Sequence, residues 1–245
     1  MRALIDFLTG YHPPYADVVR GFPEVRIAEL ERALGQALPA TYREFLSTVG
    51  ANLGFFVDEV VFDIDELIEL IEEKSATRPR HLVPIAIDES PSYMDYFLDL
   101  SDGEDGEDGV VVRSAAGSLS FDDISYVYPS LRDLLFVTGF RAVRMLTLPH
   151  RAGVSWPLED FSDPASAPRR DLLHAQFEAM GFRELGVTGE RCGLYERGDC
   201  AAIVVTQPPG VFFSLFLAAE DPKTAVLVSE LLCDAMPGNG RRIQF

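Results

Sequence analysis

The sequence predicts an α+β chain in two parts, and three observations carry that reading. Helical periodicity near the start gives way to β-rich runs and a closing helix. A Pro-, Ser-, Ala- and Gly-rich stretch without periodicity, TLPHRAGVSWPLEDFSDPASAPRR, follows from residue 147. Beyond it come a helix, four strand-like runs and a second helix, and that α-β-β-β-β-α order suggests a small antiparallel sheet with helices packed on one face. The 245 residues suffice for one large domain or two small ones. The expected limits are a first domain over 1–146, a linker over 147–169 and a small second domain over 170–245.

In VRIAELERALG, Ile27, Leu30 and Leu34 share one helical face and Gly35 supplies a stop. LPATYREFLSTVG follows, with Pro39 suited to a first helical turn, an apolar stripe of Tyr42, Phe45, Leu46 and Val49, and Gly50 as terminator. FFVDEVVF (55–62) reads as a strand. DIDELIELIEEK (63–74) reads as a helix capped by Asp63 or Asp65, with Leu67, Ile68 and Ile71 inward.

HLVPIAI (81–87), YMDYFLDL (93–100) and GVVVRS (109–114) are β-rich runs divided by turn residues. In the second of them Tyr93, Asp95, Phe97 and Asp99 alternate with Met94, Tyr96, Leu98 and Leu100, a period that allows one buried and one wet face. PSLRDLLFVTG (129–139) returns to helix. In the second part a helix over 170–182 precedes strands near 182–187, 191–197, 200–206 and 211–218. Phe212, Phe213 and Phe216 are expected in a core or domain interface. A helix over 221–236 follows, with Asp221 as cap and Pro222 at its first position.

The formal charge is −18. Such a surface repels nucleic acid and anionic lipid and attracts basic partners. The acids are uneven: residues 1–150 hold 12 Lys/Arg against 26 Asp/Glu, whereas 151–245 hold 9 against 13. Three cysteines, Cys192, Cys200 and Cys233, are too few for a disulfide scaffold and point to a reducing compartment. The N-terminal run MRALIDFLTG is too short for a signal peptide and carries Asp6, and the longest apolar runs are half a membrane helix. A soluble cytoplasmic protein is expected.

IAELERALGQALPATYREFLSTVGAN (27–52), LVPIAIDESPSYMDYFLDLS (82–101), GVVVRS and VYPSLRDLL (127–135) together resemble the SUKH superfamily over about 20–145. The first of these carries most of the likeness: an amphipathic helix ending in Gly, then Leu-Pro, then a Tyr-Arg-x-Phe-Leu helix running into Gly. Members are intracellular α+β domains, among them fungal cell-wall-synthesis regulators and bacterial immunity proteins that neutralise toxins. The resemblance implies a mixed sheet flanked by helices, binding rather than catalysis, and no catalytic residue set. The second part resembles nothing recognised.

No chemistry-bearing motif competes with that expectation. His12, His81, His150 and His174 stand far apart, with no pair placing two metal ligands on one helix. There is no nucleophile elbow, no Walker-type loop and no Gly-x-Gly-x-x-Gly after a strand. Asp122 and Asp123 read as a turn. No catalytic residue, cofactor or metal site is expected.

The conspicuous stretch is DLSDGEDGEDG (99–109). No calcium-loop register fits it: counting from Asp102, the twelfth residue is Arg113, and from Asp99 it is Val110. A solvated hairpin loop, a partner-facing loop and an irregular cation site all remain open. The helix over 63–74 adds Glu66, Glu69, Glu72 and Glu73, and its acids read first as a solvated face. Tyrosine is favoured at interfaces because it buries area at little entropic cost, so Tyr93, Tyr96, Tyr126 and Tyr128 are interface or core residues. The candidate partner-binding set is Tyr93, Asp95, Tyr96, Asp99, Asp102, Glu104, Asp105, Glu107 and Asp108.

The leading expectation is a non-enzymatic immunity protein that occludes a basic toxin domain, with neither nucleic acid nor membrane as a partner. A housekeeping scaffold for endogenous proteins and a small-ligand binder between the domains are the alternatives. Oligomeric state is left open.

Overall fold

The structure, a computed structural model, describes residues 1–54, 60–74, 77–88, 94–101, 109–115, 121, 124–157, 170–206, 212–235 and 241–243. The chain divides into two compact units, Met1–Leu135 and Phe136–Phe245.

Unit 1 opens with α1 (Arg2–Tyr11) and the single turn α2 (Tyr15–Val18), neither expected from the sequence. α3 (Glu24–Leu34) buries Ile27, Leu30 and Leu34 and ends at Gly35, whose φ of 71° is the left-handed conformation glycine tolerates at a helix end. α4 (Ala40–Thr48) starts directly after Pro39 and buries Tyr42, Phe45 and Leu46. After β1 (Val60–Val61), Asp63 caps α5 (Ile64–Glu73) by accepting from the backbone N–H groups of Asp65 and Glu66 at 2.8 and 3.3 Å. α5 buries Ile64, Leu67, Leu70 and Ile71, so Leu70 takes the inward place expected of Ile68.

β2 (Leu82–Asp88), β3 (Met94–Asp99), β4 (Val110–Ala115) and β5 (Ser125–Tyr128) complete an antiparallel meander in the order β1-β2-β3-β4-β5. An isolated bridge from Arg20 to Gly50 is the one parallel pairing among the described residues, so the mixed character implied by the resemblance is confined to it. β3 is the middle strand. It is buried from Asp95 through Asp99 on both faces, where the alternation suggested one wet face. The reason is cover: Phe97 packs with Leu70 of α5, Leu82 of β2 and Val112 of β4, and Phe121 closes edge-on against it at 5.5 Å between ring centroids. Where β3 meets β4, a Cβ on Gly109 would fall 2.2 Å from the Asp99 carbonyl oxygen, so only glycine fits. α6 (Leu131–Val143) follows, and the division between the units falls within it.

Unit 2 continues through a 3₁₀ turn, Met145–Thr147, into β6 (His150–Pro157). Then come α7 (Arg170–Ala179), β7 (Arg183–Glu184), β8 (Cys192–Arg197), β9 (Cys200–Thr206), β10 (Phe212–Ala219), α8 (Pro222–Ala235) and β11 (Arg241–Ile243). The sheet order is β11-β6-β10-β9-β8-β7. Part of the stretch read as a linker is thus an inner strand: β6 pairs with β10 from His150–Ala219 to Pro157–Phe212. Its glycine, proline and histidine hide a periodicity that pairing on both edges enforces.

The core of unit 2 gathers Trp156, Leu173, Phe177, Phe182, Tyr195, Leu215, Leu217, Val228 and Leu232, with Phe177 stacked on Tyr195 at 4.2 Å. Of the phenylalanines expected there, Phe216 is half-buried, and the side chains of Phe212 and Phe213 lie outside the described residues. All three cysteines are free. Cys192 and Cys200 do sit on neighbouring strands but at opposite ends, opposite Val205 and Arg197 respectively. Burial pushes the Cys200 thiol up to about 11, which leaves little reactive thiolate at neutral pH.

Candidate protein-binding face

The described acidic surface of unit 1 is built on α5. Burying Ile64, Leu67, Leu70 and Ile71 turns Asp65, Glu69, Glu72 and Glu73 to solvent. Positions 65, 69, 72 and 73 recur at helical spacing, so their carboxylates form one stripe. The stripe is not uniform. Asp65 is hydrogen-bonded by Arg26 of α3, which also holds Glu29, and these carboxylates keep the guanidinium pKa above its ordinary value. Arg43 likewise gathers Glu24 and, at 2.7 Å, Glu31. Arg26 and Arg43 of the helical layer are therefore engaged by their own neighbours. Among the described residues, no cation pairs with Glu69 or Glu72. Acids at the start of α5 suit its dipole, whereas Glu72 and Glu73 at its end oppose it. That arrangement costs a little stability.

Directly after the stripe the chain turns inward. Lys74 is wholly buried, with Nζ 3.4 Å from Oδ2 of Asp95 and above the rings of Phe97 and Phe121 at 5.8 and 5.5 Å. Burial pushes the Asp95 carboxyl above the usual carboxylate range. Lys74 pulls it the other way without prevailing, and Asp88 and Glu73 add to the rise. This pair was missed in the sequence reading. The signal was there: Lys74 is the only lysine among the first 222 residues of an otherwise arginine-using chain. Lysine is a strongly hydrated point charge, so an isolated one beside an apolar helix face merits suspicion.

Three of the nine candidate residues are described, and all three are buried. Asp95 faces Lys74. Tyr96, on the opposite face of β3, lies beside its cross-strand neighbour Arg113, whose guanidinium is 5.8 Å from the ring centroid. Asp99 accepts from the backbone N–H of Ser101 at 2.9 Å and starts the turn that ends β3; His81 lies 3.9 Å from it. Tyr93, Asp102, Glu104, Asp105, Glu107 and Asp108 lie outside the described residues. Tyr126 and Tyr128 are half-buried on β5.

Among the described residues, no group of three His, Cys, Asp or Glu side chains could hold a metal ion, and no helix is long and apolar enough to cross a membrane. The described geometry is that of an α+β unit with an acidic outer helix face. Its family follows from comparison. The model of the SMI1 / KNR4 family (SUKH-1) matches residues 21–136, from just before α3 into α6, and this span is a SUKH-type domain. Such domains are generally non-catalytic binding modules. The remainder of unit 2 has no family match. No curated protein matches the chain.

Proposed function

We propose that the chain is a non-enzymatic immunity protein that neutralises a toxin by stoichiometric binding, with the acidic face of unit 1 covering the cationic groove of a basic toxin domain. The SUKH-type domain carries this reading. Charge agrees with it: residues 1–135 hold 10 Lys/Arg against 26 Asp/Glu. The proposed contact set is the stripe Glu69, Glu72 and Glu73 together with Tyr93 and the acids Asp102, Glu104, Asp105, Glu107 and Asp108. Asp95, Tyr96 and Asp99 lie on β3, which directly precedes those acids in the sequence. Carboxylates on this surface stand in for the phosphates that a nuclease-type groove attracts. Steering of this kind is worth roughly 10 to 1000-fold in association rate and less in lifetime.

The test is co-purification. The tagged full chain is recovered from its native cells and its bound proteins are identified by mass spectrometry. The expected result is one basic toxin domain in equimolar amount, inactive in the complex and active once released. Recovery of several endogenous proteins with no toxin among them would favour the scaffold reading and overturn this one.

A further inference from the structure

Stability does not explain the buried pair of Lys74 and Asp95. Burial holds the Asp95 carboxyl above the usual carboxylate range and Lys74 does not offset it, so the ionised carboxylate opposes folding. A pair that does not favour the native arrangement can still exclude a wrong one. α5 has a wrong arrangement within reach. Its inward side chains, Ile64, Leu67, Leu70 and Ile71, repeat at the spacing of a helical turn. A slip of one turn, about 5.4 Å along the axis, carries Ile64 to the place of Leu67 or Ile68 and Leu67 to that of Leu70 or Ile71. Apolar contact is non-directional, so exchanging one aliphatic side chain for another changes it little. The other described ties are slight. β1 pairs with β2 over two residues only. The bridge from Arg26 to Asp65 lies at the surface, with the Asp65 side chain 74% exposed, a setting that contributes little.

Lys74 breaks the repeat. It is the only cation between Asp63 and the end of α5, and one turn before it stand Leu70 and Ile71. We infer that the pair of Lys74 and Asp95 positions α5: it selects one register of the helix on the sheet, and so fixes where Glu69, Glu72 and Glu73 stand relative to the rest of unit 1. Slipped one way, α5 sets Leu70 or Ile71 beside Asp95. Slipped the other way, it carries Lys74 to the place those residues held. Either slip leaves Asp95 buried without its cation, which disfavours the wrong register about a hundredfold or more. What the stripe meets rests on the proposed function, whereas its placement does not.

The test is nuclear magnetic resonance on the methyl-labelled full chain, and it needs no partner. In the wild type Leu70 packs with Phe97, and the expected result is a single set of α5 signals with Leu70 methyls close to the Phe97 ring. Lys74→Met with Asp95→Leu removes the selection. This variant is expected to fold with a urea midpoint near that of wild type, yet to show two α5 registers within about tenfold of each other in population, the second with Leu67 on Phe97. A role in stability alone would not split these signals. Ile71→Lys with Lys74→Ile moves the cation by three residues and is expected to move the helix with it, so that Leu67 replaces Leu70 on Phe97. The proposal is overturned if the apolar variant keeps one register, or if it fails to fold, because the pair would then hold the fold rather than choose the register. It is equally overturned if the transplanted lysine folds with Leu70 still on Phe97. Should the transplant not fold, the apolar variant alone decides. A failure here leaves the proposed toxin contact standing, and a chain that binds no toxin leaves the register result standing.

Discussion

The two units are both antiparallel sheets with helices, and they treat charge in opposite ways. The described core of unit 2 is apolar and aromatic, with Trp156, Phe177 and Tyr195 at its centre, and the unit carries almost no net charge. Unit 1 carries −16, places Lys74 in its interior and holds Arg26 and Arg43 against acids of its own helical layer. The difference teaches where surface charge comes from. Arg26 and Arg43 are engaged by acids beside them, so the excess on α5 follows from internal pairing as well as from composition.

The sharpest way to break this comparison is at Lys74. Lys74→Met strands Asp95 in the interior, and the expected loss is about 3–5 kcal/mol of unit 1 stability at neutral pH. Lys74→Met with Asp95→Leu removes both charges and is expected to recover most of it, since well-packed apolar replacements of buried pairs are often neutral or better. Urea unfolding followed by far-UV circular dichroism and by tryptophan fluorescence separates the units, because Trp156 is the single tryptophan and belongs to unit 2. Equal shifts of both signals would mean that the units do not unfold as distinct cores.

A smaller effect concerns pH. The Asp95 pKa is raised in the folded state, so ionising it costs the fold more than the unfolded chain. Its contribution is favourable below the ordinary carboxylate pKa of about 4 and is lost as pH rises through the raised value. Wild type should therefore lose stability relative to Asp95→Asn as pH climbs from about 4 into the neutral range. A difference between the two proteins that stays flat over that window would show that Lys74 compensates the burial of Asp95 fully.

The smallest effect lies on the surface. Replacing Glu69, Glu72 and Glu73 together by Gln should leave the urea midpoint of unit 1 within about 0.5 kcal/mol of wild type per position. A large loss would mean that these acids are structural rather than displayed.

Much of the frame was legible in the sequence. Ile27, Leu30 and Leu34 with Gly35, and Tyr42, Phe45 and Leu46 after Pro39, predict two helices that the structure contains, because periodicity and end signals agree there. β8, β9 and β10 fall where turn chemistry placed strands. β6 was hidden, since His150, Gly153 and Pro157 break a pattern that only pairing with β10 restores. The site was less legible. Alternation along β3 shows which residues share a face but not what covers it, and Asp95 and Asp99 looked displayed until α5 and Phe121 closed over that side. The helix acids, read first as a solvated face, make up the acidic stripe that the structure describes.

The central claim is that unit 1 meets its partner through uncompensated carboxylates. The most direct measurement is the salt dependence of binding between the full chain and its co-purified basic domain, with and without Glu69→Gln, Glu72→Gln and Glu73→Gln. The account predicts that affinity falls as salt rises, that the substitutions flatten that dependence, and that the lost affinity lies mainly in the association rate. Identical salt dependence in both proteins, with unchanged association, would contradict it.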